Sequence, residues 1–160
     1  MTKVIGLSGG RLVEVDVTSW TEQVLRTTYT NATLTGTDVV TGFAPLANSL
    51  YEVDVLLMVQ SNAATTGVQV ALAGPATGIT AAAVRIESAS TATTELTSHS
   101  ALNAFQAQTS GLTTPNLLTV RALVSVGATP GVGNVRVQAR SELLATVTVL
   151  PGSYMRWRVL

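Results

Sequence analysis

Few side chains in this 160-residue chain are equipped for chemistry, and their spacing decides what each can do. A hydrolytic triad needs a nucleophile, a base and a group that orients the base. The single histidine is His99, in Thr97-Ser98-His99-Ser100, and it reads as a loop or surface residue. No Gly-x-Ser-x-Gly turn occurs, and Lys3, the only lysine, forms no Ser-x-x-Lys pair. With no cysteine, the chain has no thiol nucleophile, thiolate metal site or disulfide. Carboxylates recur two apart at Glu14/Asp16 and Glu52/Asp54. Residues i and i+2 of a strand share a face, so each pair presents two oxygens together. A glycosidase sets such groups across a cleft, and calcium needs six to eight oxygens. No Asp-x-Asp-x-Asp-Gly loop supports calcium, and a solvated or arginine-paired strand face is the plainer reading.

Other motifs carry less. Gly131-Val132-Gly133-Asn134 is half of a dinucleotide fingerprint without its third glycine or a following helix, and it reads as a hairpin loop. Asn31-Ala32-Thr33 has the form of a glycosylation sequon. The seven aromatics are Trp20, Tyr29, Phe43, Tyr51, Phe105, Tyr154 and Trp157. Most fall in strand phases, which suits a core or an interface better than a sugar-stacking platform. These observations predict a chain without catalytic site, metal or cofactor.

The elements that must position these residues are strands. Tyr51, Val53, Val55, Leu57 and Val59 share one phase; Leu118, Val120, Ala122, Val124 and Val126 share another. Shorter alternations run through Leu12–Val17, Val68–Ala73, Val84–Glu87, Val135–Arg140, Thr146–Val149 and Tyr154–Val159. Period two is the signature of a half-buried strand. Turn signals at Ser8-Gly9-Gly10, Gly74-Pro75, Gly127 to Gly133 and Pro151-Gly152 separate the runs. Strands at roughly ten-residue spacing predict an all-β antiparallel sandwich, jelly-roll-like. Residues 1–20 read as an N-terminal arm or hairpin and 21–160 as the sandwich. Ser100–Gln108 has the spacing of one short helix, and Ser88–Thr97 reads as a solvated loop.

Nine basic and nine acidic residues give a net charge of +0, and only 11% of residues are charged. An average domain has about 25%. Sparse, balanced charge favours association, so much of the surface is expected to lie against other subunits. No basic excess drives binding to nucleic acid. No apolar run is long enough for a membrane-spanning helix, and Met1–Leu7 lacks the apolar stretch of a secretory signal. Neither a nucleic-acid nor a membrane partner is expected.

Residues 29 to 78 and the C-terminal segment carry a family resemblance. Thr33-Leu34 and then Pro45-Leu46-Ala47-Asn48-Ser49-Leu50-Tyr51-Glu52-Val53 lead into Val59-Gln60-Ser61, then Thr65-Thr66-Gly67-Val68-Gln69-Val70-Ala71-Leu72-Ala73-Gly74-Pro75. With Pro151-Gly152-Ser153-Tyr154-Met155-Arg156-Trp157-Arg158, this resembles the β-jelly-roll heads of tailed-bacteriophage virion proteins, among them tail-fibre and capsid-decoration proteins. The resemblance covers about two-thirds of the chain and brings no catalytic residue. It implies a homotrimer located in the virion, assembled in the host cytoplasm. Without a shaft or heptads before the sandwich, a capsid decoration (cement) protein bound to the major capsid protein or another virion protein is favoured. The alternative is a small tail-fibre or tail-tip receptor-binding module.

Two surfaces follow from these readings. Leu56 and Met58 share a face with Glu52 and Asp54, and Leu123 shares one with Thr119 and Arg121. A strand apolar on both faces must be covered on both, so Leu56, Met58 and Leu123 are expected at a subunit interface. Val4, Ile5, Leu7, Leu12, Val13, Val15, Val17 and Trp20 concentrate apolar side chains around Gly6, Gly9 and Gly10. That segment is expected to dock onto the capsid or another partner, by adding a strand to an exposed sheet edge. The competing expectation is that it forms the first hairpin of the sandwich.

Overall fold

The computed structural model describes residues 3–8, 11–16, 19–89, 94–108 and 113–160. Its strands are β1 (Lys3–Ser8), β2 (Arg11–Asp16), β3 (Thr21–Val24), β4 (Tyr29–Asn31), β5 (Thr37–Phe43), β6 (Leu50–Ser61) and β7 (Val68–Ala73), then β8 (Ile79–Ala89), β9 (Thr94–His99), β10 (Gln106–Gln108), β11 (Asn116–Val126), β12 (Val135–Ser141), β13 (Val147–Val149) and β14 (Tyr154–Val159). No helix occurs among the described residues. Every pairing is antiparallel. One sheet has the order β10-β7-β12-β5 and the larger one β3-β14-β6-β11-β8-β9, with β13 joining β4 to β6. The fold is an antiparallel β-sandwich.

Alternation builds the core. Along β6, Tyr51, Val53, Val55, Leu57 and Val59 are buried while Glu52, Asp54, Leu56, Met58 and Gln60 are intermediate. Leu118, Val120 and Val124 of β11, Ile86 of β8 and Met155 of β14 extend this buried face. Val68, Val70 and Leu72 of β7 and Val135, Val137 and Ala139 of β12 complete the same cluster from the smaller sheet. Phe43 lies tilted against Tyr51, 4.3 Å between ring centroids, and stacks at 5.1 Å on Trp157, which packs against the edge of the cluster. Burial pushes the Tyr51 phenol above its ordinary pKa, although the Leu46 N–H donates to its oxygen at 2.9 Å and opposes the shift.

The Pro151-Gly152-Ser153 signal marks a break in a single strand line. β13 and then β14 pair with successive stretches of the same edge of β6. At the break, the Met58 N–H donates to Ser153 Oγ at 2.9 Å, and the Met58 carbonyl accepts from Leu150 N at 2.8 Å. Ser153 is fully buried and its hydroxyl donates to the Leu150 carbonyl at 2.8 Å. One serine thus satisfies backbone groups that the interruption would otherwise orphan.

Three local expectations are corrected. Ser100–Gln108 is a turn followed by β10, not a helix. Asn103 adopts a left-handed φ of 64°. Its N–H donates to the Leu72 carbonyl at 2.9 Å, and its Oδ1 accepts from Gly74 N at 3.1 Å. The spacing of Leu102 and Phe105 is met by a turn held against the end of β7. Ser88–Thr97 is not a loop throughout, because β8 runs to Ala89 and β9 begins at Thr94. The Gly127–Gly133 segment links β11 of one sheet to β12 of the other and so is not a hairpin. It closes against Gly78, whose φ is +83°, where a Cβ would lie 2.4 Å from Pro130 Cα.

Strands β1 and β2 pair with each other, Lys3 opposite Asp16 and Ser8 opposite Arg11, as a two-stranded sheet of their own. Gly9, Gly10 and Val17 lie outside the described residues, as do the side chains of Val4, Ile5, Leu7, Leu12, Val13, Glu14, Val15 and Asp16.

Candidate functional site

Strand register lines the outward side chains of the larger sheet into rows, because directly opposite residues share a face. One row crosses all six strands. Glu22 of β3 stands opposite Arg156 of β14, Arg156 opposite Asp54 of β6, Asp54 opposite Arg121 of β11, Arg121 opposite Arg85 of β8, and Arg85 opposite Ser98 of β9. The next row is Arg158, Glu52, Leu123 and Ala83. On the other side run Tyr154, Leu56, Thr119, Glu87 and Leu96, and beyond them Met58 and Leu117.

The carboxylates of the central rows are paired with arginine, as the plainer sequence reading had it. Asp54 Oδ2 accepts from Arg156 Nε at 2.9 Å and from its Nη2 at 2.6 Å. Glu52 Oε2 accepts from Arg158 Nε at 2.7 Å. The Asp54 hydrogen bond raises the Arg156 pKa above its ordinary value, against a smaller lowering by burial. Arg121 lies 3.7 Å from Asp54 Oδ1, with its side chain 76% exposed. Arg85 pairs with Glu87 at 3.0 Å. Trp20 covers the Arg156 and Arg158 guanidiniums, which sit 4.7 and 4.8 Å from its ring centroid.

Between these groups the face is concave, with a recess of about 780 Å³. Its lining includes Trp20, Arg156, Arg85 and Arg121 together with Ala83 and Leu123. The guanidiniums are donors and permanent cations, a chemistry suited to holding anionic groups and not to moving protons.

Leu56, Met58 and Leu123, the residues expected at a subunit interface, all fall on this outer face. Leu56 and Met58 are half-buried and Leu123 is 45% exposed. Leu117 and Leu96, 50% and 53% exposed, belong to the same face. Sequence alone missed Leu96, because β9 was hidden in a Ser/Thr-rich stretch, and it missed that Trp20 caps two arginines. His99 lies in β9 with its backbone opposite Val84, and its side chain is outside the described residues. Among the described residues, no group of three or more His, Asp or Glu side chains is placed to hold a metal.

Asn31 of the sequon is buried. Its Nδ2 donates to the Thr35 carbonyl at 2.9 Å, the Ala139 carbonyl at 3.1 Å and Tyr29 Oη at 3.1 Å. Its amide fastens the β4–β5 turn to β12, and a glycan there would break that junction.

No protein-family model matches the chain, and no curated protein matches it. Among solved structures it is similar to that of infectious bursal disease virus, Gx strain, at 10% identity over 97% of this chain and 42% of that one, with a TM-score of 0.18. The Gt strain of the same virus gives 12% identity, 97% and 40% coverage, and a TM-score of 0.19. The chain spans about two-fifths of the length of those chains. Likeness at this level carries no argument about fold or function.

Proposed function

We propose that this is a structural, non-catalytic assembly protein: a homotrimeric capsid decoration, or cement, protein that binds and stabilises a bacteriophage shell. The observation that carries the reading is the outer face of the larger sheet. Leu96, Leu117 and Leu123 stand about half exposed there, around carboxylates already neutralised by arginine. Covering a large side chain fully contributes about 1.5–3 kcal/mol, so each half-exposed leucine offers about 1 kcal/mol to a partner surface. A face with neutralised carboxylates and uncovered leucines is suited to burial against protein. The virion location rests on the resemblance of residues 29–78 and 151–158 to phage jelly-roll heads. A protein that binds only the assembled shell stabilises it by mass action.

The test is the copy number in purified virions, measured by quantitative mass spectrometry against the major capsid protein. Hundreds of copies per particle are expected. Absence from the particle, or only a few trimers, overturns the decoration role.

A further inference from the structure

We infer that residues 102–108 act as a strap whose seat on β7 keeps this chain from pairing, edge to edge, with the β7 of a second copy. The inference stands independently of the virion reading.

The strap is a detour. β9 and β11 both belong to the larger sheet, and the chain between them joins the smaller sheet only through the three residues of β10. What it covers there is the outer edge of β7. Gln106, Ala107 and Gln108 stand opposite Val70, Gln69 and Val68. Beyond them the Asn103 N–H donates to the Leu72 carbonyl at 2.9 Å, and Asn103 Oδ1 accepts from Gly74 N at 3.1 Å. Backbone groups of alternate residues point to the same side of an antiparallel strand, so those of Val68, Val70 and Leu72 face the strap.

The edge beneath is one that recruits strands when open. Val68-Gln69-Val70-Ala71-Leu72-Ala73 has no charge, proline or glycine. Val68, Val70 and Leu72 belong to the core, and Ala71 and Ala73 of the opposite phase are also fully buried. Six-residue segments of this composition pair with their own copies, and a row of unpaired N–H and C=O groups is the template for it. Proteins commonly guard such an edge with lysine, proline or a bulge. β7 carries neither residue, and its pairing with β12 runs from Val68 to Ala73 without a shift. The strap supplies the guard instead.

Side chains fasten it. Phe105 sits on Gly36 of the β4–β5 turn, where a Cβ would overlap the end of the ring. Arg140 Cζ lies 4.2 Å from the centroid of the same ring. Its Nε donates to Gln69 Oε1 at 2.6 Å and its Nη1 to the Leu34 carbonyl at 3.1 Å. One guanidinium thus ties the strap, β7 and the β4–β5 turn together. Leu102 packs on Gly74, where a Cβ would lie 2.7 Å from its Cδ1. Both close approaches require glycine, so a single methyl group is enough to unseat the strap.

The test uses Gly36→Ala, Phe105→Ala and their double variant in the full chain. Gly36 does not have a positive φ, so its backbone accepts alanine and the new methyl meets the Phe105 ring first. Ser153→Ala, which weakens the β13–β14 break in the other sheet, serves as the comparison for a general loss of stability. Hydrogen exchange read by mass spectrometry follows residues 68–73, and light scattering follows association beyond that of wild type. Both single strap variants are expected to exchange about ten-fold faster at 68–73, from the loss of a cation–π contact and its ring packing. They should associate under conditions where Ser153→Ala does not, with 68–73 protected again in the associated species. The double variant should match Phe105→Ala, because the methyl acts through the ring. Unchanged exchange at 68–73 in Phe105→Ala, or a double variant worse than Phe105→Ala, overturns the fastening. Faster exchange without association, or association no greater than that of Ser153→Ala, overturns the pairing between copies. If circular dichroism shows Gly36→Ala unfolded, Phe105→Ala, which only removes atoms, decides by the same readouts.

Discussion

Replacing Asp54 by asparagine isolates the charge that organises the outer face. The asparagine amide keeps the shape and one oxygen acceptor for Arg156, but Arg156 and Arg121 then lose the carboxylate that stands between them. Charge-assisted hydrogen bonds are about twice as strong as neutral ones, so exchanging carboxylate for amide loses roughly 1–2 kcal/mol at the Arg156 contact. The uncompensated cross-strand cations add at most about 1 kcal/mol. Solvent discounts both, because the Arg156 and Arg121 side chains are 38% and 76% exposed. A net loss of about 1–2 kcal/mol remains. For a chain of this size that lowers the melting temperature by about 2–8 °C. The assay is thermal unfolding at fixed protein concentration, in physiological salt and again near ~1 M, where the Debye length falls from about 8 to about 3 Å. The deficit of Asp54→Asn should narrow in high salt. Glu87→Gln, at a pair whose side chains are 55% and 41% exposed, should cost no more than about 0.5 kcal/mol. Equal melting of Asp54→Asn and wild type, or a deficit indifferent to salt, would refute the view that Asp54 neutralises this row.

Leu57→Ala empties a site that is 0% exposed in the middle of β6 and should cost about 2–5 kcal/mol in urea unfolding. Ser153→Ala leaves the Met58 N–H unpartnered at the β13–β14 break and should cost about 1–3 kcal/mol by the same assay. Tyr51 is expected to ionise above its ordinary value of 10.0 in an ultraviolet titration, because burial disfavours the phenolate. Since the folded state holds that proton longer than the unfolded chain, its contribution is intact below about pH 10 and declines as pH rises beyond it. Tyr51→Phe should flatten that alkaline decline, and an unchanged decline would assign it to another group.

Strands with strict alternation were readable because their apolar phase is the core itself. Tyr51 to Val59 and Leu118 to Val126 fall on the buried face residue by residue. β5 was not readable, because Val39 and Val40 are consecutive and both buried. Register shifts between Val135/Arg136 and between Val137/Gln138 break its periodicity, as a bulge does. Three- and four-residue strands such as β3, β4 and β10 are too short to display a period at all. The outer face was half legible. The i, i+2 pattern placed Glu52, Asp54, Leu56 and Met58 together, but only the register among six strands brings Arg85, Arg121 and Arg156 alongside. Nothing in the local sequence reveals that Leu143 and Leu144 occupy an exposed turn, because that turn is fixed by Gly67 and Asn62 some 75 to 84 residues away.

The central claim is that the outer face of the larger sheet is covered by another copy of the chain, and analytical ultracentrifugation of the wild type at micromolar concentration tests it most directly. The account predicts a species of about three times the 16.5 kDa chain mass. A single 16.5 kDa species across that concentration range would contradict it.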